Sequence, residues 1–102
     1  MEAAGTLPMR DKIFERNGQI VSRKIAGDLF LVPIRGKLAD MQKIFSLNTV
    51  GEYVWNLLNK EKNFGDICKG IIGTFEVGRE EAEADLAELI RKLLEEDLIR
   101  EL

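Results

Sequence analysis

The sequence predicts a single α+β domain in which a three-stranded antiparallel sheet is followed by three helices. Three observations lead there. A length of 102 residues with 45% hydrophobic and 32% charged side chains is ordinary globular composition with room for one core. Between Ile20 and Leu47, β-branched and large apolar residues are interrupted by turn formers, the pattern of short strands. From Asn48 onward apolar residues recur every three to four positions, which is the helical period.

Residues 1–19 mix Gly, Pro, Met and charges without a sustained period and are expected to form an N-terminal arm, loose or pinned by Ile13 and Phe14, ahead of a domain over 20–102. Ile20 to Ile34, broken at Ala26-Gly27-Asp28, predicts a hairpin. Pro33 cannot donate to a ladder, so the second strand should end there or lie at an edge. Gly36-Lys37 reads as a turn. Residues 39–47 are expected to be extended again, with Met41, Phe45 and Leu47 on one side and Gln42, Ile44 and Ser46 on the other.

The first helix carries Val50, Gly51, Val54, Trp55 and Leu58 on its apolar stripe, with Asn48 as N-cap and Glu52 favouring the dipole. A polar break at Asn59–Lys62 precedes a capping-box pattern, Asn63 and Asp66. The second helix then carries Phe64, Ile67, Cys68, Ile71, Ile72 and Phe75. Its interior glycines, Gly70 and Gly73, each cost about 1 kcal/mol relative to alanine, so packing must hold it, and either can permit close approach of a neighbour. After a turn at Glu76–Gly78, the third helix spans 79–97 with a core stripe of Ala82, Leu86, Leu89 and Leu93. Residues 98–102 form a last turn or a small terminal strand.

Little catalytic chemistry is available. There is no histidine to act as base or metal ligand, and neither serine, Ser22 or Ser46, has a partner to activate it. Cys68 lies in an apolar stripe and reads as core packing, because burial makes a thiol inert. The carboxylates of the third helix read as a solvated face, and no glycine pattern resembles a phosphate loop. An enzyme, a metal and a cofactor are therefore not expected. The N-terminal stretch lacks a secretory apolar run and no segment approaches ~20 apolar residues, so a cytoplasmic protein without a membrane partner is expected.

Three helices after short strands suggest a winged-helix-like shape, and a DNA-binding transcription regulator is the alternative function. Charge opposes it. Residues 44–102 carry seven basic and thirteen acidic side chains, whereas residues 1–43 carry eight and five. A long acidic helix repels the phosphate backbone, so a nucleic-acid partner is not expected. On the third helix, Ala87, Ile90 and Leu94 widen the apolar arc onto a second face. This face is either further core or one wall of a groove, beside which an open strand edge would accept an extended peptide.

The run from Phe45 to Ile99 resembles the PqqD-like family of small proteins named for pyrroloquinoline quinone (PQQ) biosynthesis. The resemblance rests on Leu47-Asn48, Gly51, Val54-Trp55 and Leu57-Leu58, then Phe64 and Ile67, Phe75 with Val77, Arg79-Glu80-Glu81-Ala82, and Leu98-Ile99. The strands Ser22–Ile25 and Leu29–Ile34 match its N-terminal hairpin. The resemblance implies a recognition element or chaperone for ribosomally made peptides, which binds the leader of a precursor and presents it to a modifying enzyme, often of radical SAM type, in the biosynthesis of PQQ or a related peptide-derived product. It implies binding residues on the third strand, Met41, Gln42, Lys43, Ile44, Phe45 and Ser46, and on the third helix, Glu83, Ala87, Ile90, Arg91 and Leu94. Ile44, Ile90 and Leu94 would accept apolar leader side chains, while Lys43, Glu83 and Arg91 would select charge. A purely structural interaction module that dimerises through its apolar edge, giving a homodimer, is the third reading after peptide recognition and DNA binding.

Overall fold

A computed structural model describes residues 7–102, so the first six residues of the expected arm lie outside the described ones. The rest of that segment contributes to the core. A 3-10 turn at Leu7–Asp11 leads into strand β1 (Ile13–Arg16), where Phe14 is fully buried. The hairpin follows as β2 (Ile20–Ile25) and β3 (Asp28–Pro33), linked by Ala26-Gly27. Both linking residues take positive φ, 53° and 91°, the two-residue turn whose twist matches that of paired strands. β3 ends at Pro33, where the missing N–H would otherwise interrupt the ladder.

The third strand is shorter than expected. Gly36–Asp40 form a short helix, α1, and only Phe45–Leu47 form β4. Leu38 and Ala39, both good helix formers, are half-buried on one turn of α1, and Gln42 closes it with φ of 56°. The alternation expected of a strand holds where the chain is extended: Phe45 and Leu47 turn inward and Ser46 outward.

Helix α2 (Thr49–Leu57) begins at Asn48, whose side chain accepts from the Gly51 N–H at 2.9 Å. The polar break is itself a strand, β5 (Asn59–Asn63), paired with β1 across a bulge that Lys60 relieves with φ of 76°. Helix α3 (Phe64–Phe75) opens with the expected capping box of Asn63 and Asp66. Helix α4 (Arg79–Glu95) follows a left-handed Glu76, and the tail forms β6 (Ile99–Glu101).

Two three-stranded antiparallel sheets result, β5-β1-β6 and β2-β3-β4. The α+β class holds, with a second sheet and a short extra helix added to the expected elements. A single core joins them. Phe14 belongs to one buried cluster with the helix residues Trp55, Phe64, Ile67, Leu86 and Ile90 and with Leu29 and Leu31 of β3 in the other sheet. The Arg16 guanidinium lies 5.9 Å over the Trp55 ring. Gly70 makes room for Tyr53: a Cβ there would lie 2.3 Å from the Tyr53 hydroxyl oxygen, whereas one on Gly73 would meet nothing within 4 Å.

Candidate functional site

β4 pairs with β3 on one side, and no strand of the described residues occupies its other edge. A groove runs between β4 and α4. Its first half, about 600 Å³, is lined by Ile44, Phe45 and Ser46 against Leu89, Lys92 and Glu96. Its second half, about 370 Å³, is lined by Ser46, Asn48 and Val50 against Asp85, Glu88 and Leu89. Strand and helix therefore run in opposite senses along it, with Leu89 shared at its middle.

The strand side of the expected binding surface is partly in place. Ile44, Phe45 and Ser46 line the groove, and Ile44 is 63% exposed, an apolar side chain left without cover. Met41 and Gln42 belong to the end of α1 and are exposed there. Lys43 reaches across to Glu96 at 3.2 Å and ties the approach to β4 to the C-terminal end of α4.

The expected helix residues stand away from this groove. Ile90 is fully buried in the core, and Ala87 and Leu94 pack half-buried against it. Arg91 is exposed and pairs with Glu95 at 4.0 Å. Glu83 faces a separate cavity of about 260 Å³ with Arg10, Cys68 and Arg79, where both guanidiniums approach it to 3.7 Å. The groove instead takes Asp85, Leu89, Lys92 and Glu96. Most of these stand two positions along from the expected set, which at about 100° per residue places them about 160° round the helix. Leu89 and Ile90 exchange roles, because stripes through 82, 86, 89, 93 and through 82, 86, 90, 93 both satisfy the helical period.

Electrostatics divide the two sides. Across α4, residues 79–95 carry six acidic and three basic side chains. In the groove, Lys92 approaches Glu88 at 3.8 Å, an exposed pair of small energy. In the Glu83 cavity, burial pushes the Cys68 thiol above its ordinary range and Glu83 adds to the effect, while Arg10 and Arg79 oppose it. Across β1 and β6, hydrogen bonding from Arg100 holds the Glu15 carboxyl below its ordinary range, with Lys60 assisting. No group of three or more metal-ligating side chains converges among the described residues, and no described helix is long and apolar enough to cross a membrane. The arrangement is one for holding an extended chain: unpaired backbone groups on one wall, an apolar notch at Leu89, and charge on the other wall.

An open strand edge facing a helix across a groove, on a small winged-helix-like α+β scaffold, defines a class of peptide-recognition module. Solved structures share the architecture. One, TbiB1 in complex with the TbiA(beta) leader peptide, superposes with a TM-score of 0.70 at 26% identity, covering 84% of this chain and 94% of that one. Another, a lasso peptide synthetase B1 complexed with the leader peptide, shares the fold with a TM-score of 0.71 at 21% identity, covering 85% and 96%. The family model for coenzyme PQQ synthesis protein D (PqqD) matches residues 29–99, and the chain belongs to that family of peptide-recognition elements. No curated protein matches the sequence.

Proposed function

We propose that the protein binds the leader segment of a ribosomally made precursor peptide by adding it as a strand to the free edge of β4, and presents it to a modifying enzyme. The observation that carries this reading is the groove between β4 and α4. Among the described residues, no strand pairs with the sheet edge there, which runs beside an apolar notch built from Ile44, Phe45 and Leu89. Strand addition supplies affinity through backbone hydrogen bonds, and the notch selects side chains at alternate positions. Among the described residues the outer edge of β2 is also unpaired, but five of its six residues are exposed, and no cavity pairs that edge with a helix as the groove pairs β4 with α4.

On this reading the module makes and breaks no bond and works in the cytoplasm beside its enzyme, of radical SAM or another peptide-modifying type. Membership of the PqqD family and the leader-peptide complexes of the similar structures support it. The test is a titration of isotope-labelled protein with the leader of the precursor peptide encoded beside its gene. Saturable amide shifts over residues 44–48 and 85–96 are expected. Leaders that leave these amides unmoved while still serving as substrates of the neighbouring enzyme would overturn the reading.

A further inference from the structure

Resting on the strand-addition reading, we propose that the groove selects a leader with a lysine or arginine at its Asp85 end. The β4 wall, residues 44–50, contains no charged side chain, so the charge seen by a bound strand comes from α4. There, carboxylates outnumber basic groups, and most of those along the groove are already matched. Glu88 has Lys92 at 3.8 Å, Glu95 has Arg91 at 4.0 Å, and Glu96 has Lys43 at 3.2 Å. Among the described residues, no cation lies within 4.0 Å of Asp85 or of Glu81, one turn earlier. These two carboxylates share the wall of a small cavity of about 140 Å³ with Val50 and Leu89, and like charges at this spacing repel.

A strand entering the groove removes water from that end. A neutral or acidic side chain there would leave Asp85 partly desolvated without a partner, whereas a basic one meets both carboxylates and lays its aliphatic stem on Val50 and Leu89. The other end is already neutralised by the Lys43–Glu96 pair. Asp85 and Glu96 are eleven residues apart, about 16 Å along the helix, a span covered by about five residues of extended chain. The basic residue therefore marks one end of a five-residue core, and its position fixes which way the leader lies.

The test uses the full-length protein and the same leader peptide, with each lysine and arginine replaced singly by glutamine and by glutamate. Affinity is read by fluorescence anisotropy at low and high salt, and amide shifts of residues 44–48 are read in parallel. One replacement by glutamine is expected to weaken binding about two- to fivefold at low salt, the scale of an exposed ion pair, and to do nothing when the protein carries Asp85→Asn. Glutamate at that position should bind Asp85→Lys better than it binds the native protein. Shifts over 44–48 with affinity indifferent to every replacement, or a leader that binds there with no basic residue, would overturn the charge selection and leave strand addition standing. Absence of those shifts would overturn both.

Discussion

Neighbouring residues on α4, Ile90 and Leu89, should respond to truncation in opposite ways. Ile90 has no exposed surface and is packed among helix and strand side chains of the core. Ile90→Ala removes buried carbons and leaves a void, a change that costs about 2–5 kcal/mol. With a urea dependence of about 1–3 kcal/mol/M for a small domain, a loss of about 3 kcal/mol lowers the unfolding midpoint by roughly 1–3 M. Leu89 is half-buried in the groove wall, so Leu89→Ala forfeits only part of its transfer energy, about 1 kcal/mol. Leader affinity should move the other way, falling for Leu89→Ala and holding for Ile90→Ala below its unfolding midpoint. Urea unfolding followed by tryptophan fluorescence, together with leader binding, measures both. Equal midpoints for the two variants, or a larger loss for Leu89→Ala, would refute the assignment of α4's faces.

Three further outcomes follow from the same packing. Gly73→Ala, in open space, should stabilise α3 by about 0.5–1 kcal/mol, whereas Gly70→Ala should show no such gain because Tyr53 and its edge-on contact with Phe75 must move; paired denaturation curves decide it. Glu15, whose folded pKa is depressed by Arg100 and Lys60, contributes stability that is present above the ordinary carboxylate value of 4.5 and lost as pH falls below it. Glu15→Gln should therefore be less stable than the native protein at neutral pH, with the difference shrinking in acid, as stability measured across pH will show. Cys68, buried with a raised pKa, should react slowly with a thiol reagent in the folded protein and quickly in denaturant, and a fast native reaction would contradict its burial.

Features carried by local chemistry were legible in the sequence. Asn48 and Asn63 cap the helices they were expected to cap, and Ala26-Gly27 turns the hairpin where the strand pattern breaks. Features set by tertiary pairing were not. β5 reads Asn-Lys-Glu-Lys-Asn, with no alternating apolar face, because its pairing to β1 uses backbone groups and the Lys60–Glu15 contact. Phe14 was expected to pin the arm and is buried, but that it does so within a strand, β1, could not be read, because one apolar pair in an irregular stretch carries no period. Residues 36–40 compress into a helical turn, which shortens the third strand to three residues. On α4, two apolar arcs flank each other, and only the packing of α3 and β4 around the helix decides that Ile90 enters the core and Leu89 faces the groove.

The position of β4 across a groove from α4 has a consequence for solubility. Exposed sheet edges are templates for runaway association, each added strand offering a fresh edge to the next. On the strand-addition reading, a strand received by β4 lies between β4 and α4, so its far side meets a helix wall of Leu89 and carboxylates in place of solvent. Growth at this edge, on the same reading, stops after one addition. On that reading the helix that shapes the groove is also a chain terminator for β4, which can take one guest without offering the next a fresh edge there.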